Sequence, residues 1–527
     1  MLKPRSPQAS FYGSYLYDKI VPVDHLLRRI NQVVDFSFVN ELVKDRYTPD
    51  FGRPAEDPEF MLRLCLLQYL YGDSDREVID NARMNLGYKY FLGLAVDQEP
   101  PDDTTISYFR AQRLGEEKFR QIFQNIVQQC IDKGLVTGRR QIIDSTHIIA
   151  NMAVTSLTGL LKLCRQNVLR TVHQQKPNIA DKLGLKDMLV TKQDKYNRME
   201  DNLEEEIEQA GKLLDGVAQE LKQKNLKVTP ELQKDLALLE KAVADREDGA
   251  VDRLVSPIDA NARMGRKTNK HWAGYKGHIL VEEDSEIITA VETTPANLND
   301  GVELRPLLKQ QEQALDLIPE ELSGDKGYDS GANLEFLDSK NIIGNISLTN
   351  KSNNRGEDLF CKDDFIYDAV KDNVTCPAGC IAGHAKRDFI HTDGQKRSGW
   401  MYQFSRKLCS ICNLRLLCVS SKSAVYGRSV HISVYEPLFQ QMKARMKSEE
   451  GRAAYLNRYK IEHKIADLAR YCNMRYARYR GLTRTSIHTL MAAIASNVKR
   501  MARLLCPPKG EVCHKPAGPP EMFVVAP

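Results

Sequence analysis

The chain has 527 residues, of which 42% are hydrophobic and 28% are charged, and its formal net charge is +5. This length and composition predict two to four globular domains and exclude a disordered chain or a small disulfide-stabilised fold. The sequence contains no run of about 18 consecutive apolar residues and no apolar core of the signal-peptide kind, so it predicts a cytoplasmic protein without a membrane span.

The charged residues are distributed unevenly along the chain. Between residues 451 and 503 there are 12 lysines and arginines and 2 acidic residues, whereas residues 201–253 contain 14 acidic and 8 basic residues. A locally basic segment is typical of a surface that binds a polyanion such as DNA. A solvated charged face is the alternative, and the near absence of balancing acids counts against it.

Residues 1–130 are predicted to form an N-terminal helical domain that binds DNA. Apolar residues recur at helical spacing in a segment that begins at Pro58 and ends at Gly72, and again over residues 116–132. The pattern therefore predicts two helices that are buried on at least one face.

A third helix is predicted between these two, with Asp103 or Thr104 as its N-terminal cap. The three arginines that follow are Arg110, Arg113 and Arg120. We expect them to form an exposed basic edge that contacts DNA, and an ordinary solvated helix face is the alternative.

Residues 141–150 are rich in β-branched side chains and predict a strand with Asp144 near its middle. A carboxylate in a buried strand is costly unless it is paired or bound to a metal. Residues 155–255 then return to helical periodicity, with Thr229 as a helix cap, and predict a helical hairpin inserted into a larger domain. A coiled coil that mediates dimerisation is the alternative.

The elements after residue 255 alternate between strands and helices. In chain order we predict a hairpin of Tyr275–Val281 and Ile287–Val291, a helix over Val302–Leu315, a strand ending at Asp325, a helix capped by Asp329 or Ser330, and a strand over Asn341–Leu348. A cysteine-rich block (355–430), a basic helical block (436–505) and a flexible tail (506–527) follow.

Three carboxylates lie at characteristic places in this order of elements. Asp144 is at the centre of a strand, Asp325 at the end of another strand and Glu462 on a helix. Carboxylates that converge in an α/β domain repel one another unless cations neutralise them. Two divalent ions would do so, and hard oxygen ligands favour magnesium or manganese. The alternative is a chance selection among many acidic residues.

Several motifs resemble those of the DDE transposases of bacterial insertion sequences. They are DSTHIIAN, GYKGHILVEEDSEIITAVETTPANLNDG, SGDKGYDS and the segment from Tyr455 to Glu462. The resemblance covers residues 15–505. Within the family, the chain resembles the subgroup that has a cysteine-rich insertion in the catalytic domain. It implies an RNase H-like catalytic domain over 136–505, with a mixed five-stranded sheet flanked by helices.

The resemblance also implies the chemistry and the partners. Asp144, Asp325 and Glu462 are expected to hold Mg²⁺ or Mn²⁺, and water or a 3′-hydroxyl to attack a phosphodiester in line. The enzyme would cut double-stranded DNA at insertion-sequence ends and join those ends to target DNA. By analogy it would act as a homodimer in the bacterial nucleoid. A non-catalytic DNA-binding descendant of a transposase and a metal-dependent nuclease without strand joining are the alternatives.

Tyr455, Arg458 and Glu462 match the family's tyrosine–arginine–glutamate signature, and their spacing predicts one helix face. The resemblance implies that Tyr455 and Arg458 hold DNA near the cleaved phosphate, and Lys326 is a further candidate DNA contact. The lysine that ends the family's signature is replaced here by Ala469, which leaves that contact without an assigned residue.

Six of the 12 cysteines lie between Cys361 and Cys418, which in a cytoplasmic protein favours a metal over disulfides. The predicted ligands of a structural zinc ion are Cys376, Cys409, Cys412 and Cys418. Cys380 is an alternative to Cys376 as the fourth ligand, and Cys361 is a weaker alternative. If no zinc is bound, the cysteines would be free buried thiols.

The last candidate interface is an arginine- and tyrosine-rich segment between residues 470 and 486. It interleaves Arg475, Arg478, Arg480 and Arg484 with tyrosines. The segment predicts phosphate contacts, assigned to Arg475, Arg478 and Arg480, with the interleaved tyrosines packing on sugars or bases.

Overall fold

The computed structural model describes residues 11–48, 55–182, 202–223, 228–246, 250–267, 270–349, 359–390, 396–419 and 427–508. The part of the predicted tail beyond residue 508 lies outside these ranges. The chain is a mixed α/β protein that divides into two compact units. The first unit contains residues 1–318 and 459–527, and the second contains Pro319–Arg458.

The secondary structure alternates helical blocks with strands. The helices are α1 (Phe11–Ile20), α2 (Leu26–Val33), α3 (Phe38–Leu42), α4 (Pro58–Tyr71), α5 (Asp75–Met84), α6 (Leu86–Leu92), α7 (Asp103–Tyr108), α8 (Gly115–Asp132), α9 (Leu157–Gln175), α10 (Pro177–Lys182), α11 (Leu203–Gln223), α12 (Pro230–Ala244), α13 (Leu304–Leu315), α14 (Gly331–Ser339), α15 (Arg406–Ser410), α16 (Arg415–Cys418), α17 (Glu436–Lys447), α18 (Glu449–Leu456), α19 (Tyr459–Tyr471) and α20 (Leu482–Leu505). The strands are β1 (Arg140–Ile149), β2 (Arg263–Lys267), β3 (Lys270–Glu282), β4 (Ile288–Pro295), β5 (Glu321–Gly324), β6 (Ile343–Ile346), β7 (Ile366–Asp368), β8 (Asn373–Thr375), β9 (Ile381–Ile390), β10 (Lys396–Gln403) and β11 (Ser429–Ser433). No helix among the described residues is long and apolar enough to cross a membrane.

The predicted N-terminal helices are confirmed, and local capping explains where they begin and end. The carboxylate of Asp57 accepts a hydrogen bond from the amide of Phe60 at 3.2 Å and caps α4. Gly72 ends this helix with a φ of +87°, a conformation that only glycine adopts without strain. Because α4 is buried on nearly all sides, its core position follows directly from its apolar sequence.

The segment after α7 differs from the prediction. The helix is preceded by Asp102, and it continues as a π-helix over Phe109–Leu114 before Gly115 breaks it with a φ of +67°. Arg110 is buried rather than exposed, and Arg120 pairs with Glu116 and Glu292, so the predicted basic edge is wrong at these two positions.

A four-stranded antiparallel sheet positions the functional residues of the first unit. Strand β3 lies between β1 on one side and β2 and β4 on the other, and β1 pairs with it from Gln141 opposite Glu282 to Ile149 opposite Gly274. The predicted hairpin is confirmed as β3 and β4, while β2 is a strand that the sequence did not predict.

One hydrophobic core joins the N-terminal helices to this sheet. The buried residues of α2, α4 and α8 belong to the same cluster as those of β1, β3, β4 and α20. The long helix α20 contacts α8, α2, α4 and β4, so it is the central element of the first unit.

Helices α9–α12 have a separate core, centred on side chains such as Leu161, Val168 and Leu239. A buried ion pair between Arg165 and Glu206 joins α9 to α11, with two nitrogen–oxygen distances of 3.0 and 3.1 Å. The hydroxyl of Thr229 accepts a hydrogen bond from the amide of Leu232, which confirms the predicted cap of α12. The part of the predicted hairpin at residues 183–201 lies outside the described ranges.

The second unit contains a parallel pair of strands and a small all-β module. Strands β5 and β6 pair in parallel with α14 as the connecting helix, and β7–β11 form a five-stranded antiparallel sheet. Apart from the all-β module, the described strands number four in the first unit (β1–β4) and two in the second (β5 and β6). The prediction was a single mixed sheet of five strands. Strands and helices of this kind are consistent with an RNase H-like domain.

Candidate active site

Asp144 lies in the middle of β1, as predicted. It is opposite Ile279 of β3, and one of its carboxylate oxygens accepts a hydrogen bond from the amide of Ser145 at 2.7 Å. The neighbouring residues Ile142 and Ile143 are fully buried, whereas Asp144 is only half-buried. The strand therefore holds this carboxylate rigidly while one side of it remains accessible.

Glu462 lies in the first turn of α19 and is exposed. Helix α19 packs against β1, the strand that contains Asp144, and it is anchored there by the buried side chains of Ile461 and Leu468. An acidic residue in the first turn is also stabilised by the helix dipole. Two of the three predicted carboxylates are therefore on elements in direct contact within the first unit.

Asp325 immediately follows β5 in the second unit, as predicted. Its side chain accepts a hydrogen bond from the amide of Gly327 at 2.8 Å and so caps a short 3₁₀ turn over Lys326–Tyr328. Lys326 is exposed. The hydroxyl of Ser330 caps α14, which decides between the two predicted caps of that helix.

The donor chemistry at these positions suits a hard divalent cation. Within the ranges that the structure covers, neither Asp325 nor Glu462 has a lysine or arginine partner. Across the same ranges, no three His, Cys, Asp or Glu side chains are grouped closely enough to hold a metal ion. The carboxylates fit magnesium or manganese by their chemistry, and the assignment of Asp144, Asp325 and Glu462 as ligands stays a prediction.

The predicted single helix face for the tyrosine–arginine–glutamate signature is wrong. Helix α18 ends at Leu456, Arg458 lies in a turn, and α19 begins at Tyr459. The turn brings the Arg458 guanidinium to 5.3 Å from the ring centre of Tyr455 and to 3.3 Å from its hydroxyl. The two side chains therefore form one cationic, aromatic unit, although not through helical spacing.

The arginine- and tyrosine-rich segment is not a helix either. Residues 472–481 connect α19 to α20, and Tyr476 bridges to Ile149 at the end of β1. The backbone amide of Ile149 donates to the carbonyl of Arg475, and the amide of Ala477 donates to the carbonyl of Ile149. The segment thus extends the sheet by one short parallel bridge.

Three arginines of this segment donate hydrogen bonds to the protein itself. Arg478 donates to the carbonyl oxygens of Gln68 and Asp73, and its guanidinium lies 5.0 Å from the ring centre of Tyr69. Arg475 donates to the ring of His147 at 2.7 Å. Arg480 is exposed and donates to the carbonyl of Asn151. Of the three predicted phosphate contacts, Arg480 is the most accessible, and the prediction for all three stays untested.

His147 is held neutral by its surroundings. Burial lowers its pKa to about 4, and the positive charges of Arg475, Lys267 and Lys270 act in the same direction. A neutral ring nitrogen also accepts the hydrogen bond from Arg475. Trp272 stacks near the imidazole, with 5.1 Å between the ring centres. These contacts give His147 a structural role at the end of β1.

We expect this histidine to make the protein less stable as the pH falls from about 6.5 to about 4. Over that range the unfolded chain binds the proton that the folded chain does not, because the ordinary histidine pKa is about 6.5. The variant His147→Asn should lose less stability between pH 7 and pH 5 than the wild type does, as measured by urea midpoints. Equal losses in both proteins would contradict this assignment.

The predicted zinc ligands line one pocket of the all-β module. Cys376, Cys380, Cys409, Cys412 and Cys418 all face it, and the amide of Cys380 donates to the sulfur of Cys376 at 3.3 Å. Desolvation, followed by the neighbouring thiols of Cys376, Cys412 and Cys409, raises the pKa of Cys380. The cysteines are thus gathered as predicted, but the described thiols do not form a closed metal site.

A groove beside α7 in the first unit was not predicted from the sequence. The groove has a volume of about 720 Å³ and is lined by α7, the π-helix and the start of α20. Arg484, a neighbour of the predicted arginines, lies here rather than against the protein interior. The only sequence signal was the dense arginine content of this region, which does not distinguish inward-facing from outward-facing side chains.

Comparisons with known proteins identify two parts of the chain. A family model described as a transposase domain matches residues 15–112, and one described as a transposase DDE domain matches residues 375–502. The second range includes Glu462, Tyr455 and the cysteine pocket, whereas Asp144 and Asp325 lie outside both ranges. No solved structure matches the chain. The two transposase models, matched in this order along one chain, support a DDE transposase of the insertion-sequence type.

Proposed function

We propose that this transposase cuts the ends of its insertion sequence and joins the resulting 3′-hydroxyls to target DNA by metal-assisted phosphoryl transfer. The observation that carries the proposal is the packing of α19, with the exposed Glu462 in its first turn, against the strand that contains Asp144. Carboxylates that converge in an α/β fold would provide the negative charge that bound divalent cations need.

Asp144, Asp325 and Glu462 would hold Mg²⁺ or Mn²⁺ through their carboxylate oxygens. Bound at these residues, the ions stabilise the negative charge of the transferring phosphoryl group. Arg458 would contact the DNA backbone near the cleaved phosphate. Its guanidinium is oriented for this by the aromatic ring and hydroxyl of Tyr455. Lys326, exposed directly after Asp325, would supply a further backbone contact.

Two alternatives are separated from this proposal by their products. A nuclease would release cut ends without joining them, and a non-catalytic relic would bind DNA without cutting it. The presence of all three carboxylates disfavours the relic. Nothing in the carboxylate set favours cutting over joining, because both reactions use the same kind of site.

The test is an assay with DNA that carries the sequences flanking this gene, together with a supercoiled target plasmid. With Mg²⁺ or Mn²⁺ we expect cuts at the flanks and covalent joining of the 3′ ends to the plasmid, and a chelator should abolish both. Cuts without joined product would identify the nuclease. Specific binding without cuts would identify the relic.

We also propose that the active complex contains two copies of the chain, since two element ends must be held together. The mass of the complex with paired-end DNA, measured by light scattering, should correspond to a dimer, and a monomer on both ends would overturn this. The double-stranded DNA substrate also implies location at the nucleoid.

The cysteine pocket supports a structural zinc site as a further proposal. Four thiolates in one pocket are the donor set that structural zinc prefers, and zinc would cross-link a small module in which seven of the described hydrophobic residues form the buried core. Cys376, Cys409, Cys412 and Cys418 are the proposed ligands. Cys380 stays a competitor for Cys376, because both line the pocket.

We expect the purified protein to contain about one zinc ion per chain. The variant Cys412→Ser should lose the zinc and lower the melting temperature, because the site would hold too few thiolates. Cys361→Ser is the matched control, since Cys361 does not line the pocket. Elemental analysis that finds no zinc in protein prepared without chelator would contradict the proposal.

A further inference from the structure

The groove beside α7, which we call the α7 groove, lies in the first unit, and a buried ion pair supports its wall. The buried Arg110 forms a two-pronged ion pair with Asp75, with distances of 2.9 and 2.6 Å, and its guanidinium lies 5.2 Å from the ring centre of Tyr479. This pair fixes Tyr479 in the wall of the groove. A buried charge pair with such hydrogen bonds keeps both partners in place.

The π-helix beside the groove presents side chains in two directions. Arg110, in this π-helix, is buried, whereas Ser107, Tyr108, Ala111 and Gln112 face the groove. These four residues are exposed, and Tyr108 retains about half of its surface (53%). Helical segments of this kind are frequent at functional sites.

The groove is electropositive and contains unsatisfied polar groups. Arg484 is exposed and has no partner among the residues that the structure describes, and no acidic side chain lines the groove. The hydroxyl of Tyr479 is buried without a hydrogen-bond partner in the same part of the chain. Buried polar groups normally find a partner, so the groove is suited to a ligand with hydrogen-bonding oxygens.

Other arginines nearby are already engaged, which singles out Arg484. Arg478 donates to two backbone carbonyls, and Arg113 lies 4.5 Å from the ring centre of Tyr47 and 5.4 Å from that of Tyr108. Arg484 therefore has the guanidinium that remains available for an anionic ligand at this groove.

We infer that the α7 groove binds one strand of the DNA backbone, with Arg484 on a phosphate. The side-chain amide of Gln112 would donate to phosphate or base-edge oxygens, and the exposed ring of Tyr108 would pack on a sugar or base. A volume of about 720 Å³ accommodates a short strand segment rather than a whole duplex. The inference rests on the proposed DNA substrate and assigns it a contact surface.

The test uses two variants that act in different ways. Arg484→Ala removes the phosphate contact, and Ala111→Glu places a negative charge in the groove without removing a contact. The matched controls are Arg305→Ala, at an exposed arginine of α13, and Ala237→Glu, at an exposed alanine of α12. Thermal melting shows whether each variant is folded.

Affinity for a labelled duplex with the gene's flanking sequence is measured by fluorescence anisotropy over a series of salt concentrations. We expect Arg484→Ala to bind about tenfold more weakly and to reduce the slope of log affinity against log salt by about 0.9, the value for one phosphate contact. Ala111→Glu should weaken binding at least as much, and both controls should bind like the wild type.

Wild-type affinity and salt slope in both groove variants would overturn the groove assignment while leaving DNA transposition intact. Equal losses in the groove variants and their controls would overturn it as well, because the effect would then be one of net charge. A wild-type protein that binds no duplex at low salt would overturn the proposed function together with the groove.

Discussion

Glu462→Gln and Asp144→Asn are each expected to lower the rate of metal-dependent DNA cleavage about a thousandfold or more. Each change keeps the size of the side chain and removes one negative charge from the set that would hold the divalent cations. Losing a preorganised electrostatic contact of this kind costs about 10²–10³ in rate, and a lost cation costs more. The measurement is single-turnover cleavage of DNA with the flanking sequences.

The control lies on the same helix as Glu462. Asp467 is an exposed acidic residue of α19, and Asp467→Asn removes the same charge one and a half turns away. This variant should cleave like the wild type. Cleavage that persists in Glu462→Gln or Asp144→Asn would show that the assigned carboxylates are wrong. Partial recovery with Mn²⁺ would instead indicate weakened metal binding, as the assignment requires.

The elements that local sequence determines were predicted well. Alternating and β-branched residues predicted β1 and the β3–β4 hairpin, and a proline and a glycine predicted the two ends of α4. These signals act between residues that are close in sequence, so they determine local structure independently of long-range contacts. The extra strand β2 has no such signal, because its five residues, including two arginines and a lysine, are a strand only by pairing with β3.

The prediction failed where helix formers and arginines continue across a break in the backbone. Residues 436–505 were predicted as a basic helical block, yet the chain turns at Asn457–Arg458 and again between Asn473 and Gly481, which have φ angles of +57° and +89°. Asparagine and glycine tolerate such angles, so the second break had a visible signal. The partners of Arg475 and Arg478 had none, because they are a histidine and backbone carbonyls more than 300 residues away.

The positions of the carboxylates were predictable for a related reason. The order of strands and helices suggested Asp144, Asp325 and Glu462, the family resemblance assigned them, and the structure places each one on the predicted kind of element. The groove beside α7 was not predictable, because it depends on a π-helix and on a pair between Arg110 and Asp75, which are 35 residues apart. Sequence patterns identify which element a residue is on, and long-range contacts decide which way its side chain points.

The second large effect is expected from a single methyl group on β3. A Cβ atom added at Gly274 would lie 2.1 Å from the carbonyl oxygen of Ile148, in β1, and 2.7 Å from the amide nitrogen of Ala150, the residue that follows β1. The φ of +155° at this glycine is also one that other residues rarely adopt. Gly274→Ala is therefore expected to lower the free energy of unfolding by more than about 3 kcal/mol.

Gly277, three residues later on the same strand, provides the matched control. A Cβ atom there would lie 2.4 Å from the terminal methyl of Met474, a flexible side chain that can move, and 3.3 Å from Ile148. Gly277→Ala should cost about 1 kcal/mol, at the lower end of overpacking effects. Urea denaturation of both variants measures the difference, and equal losses would contradict the close approach of β1 and β3.

Because the displaced backbone belongs to the strand that holds Asp144, Gly274→Ala should also reduce DNA cleavage in the fraction of protein that remains folded, whereas Gly277→Ala should leave it nearly unchanged.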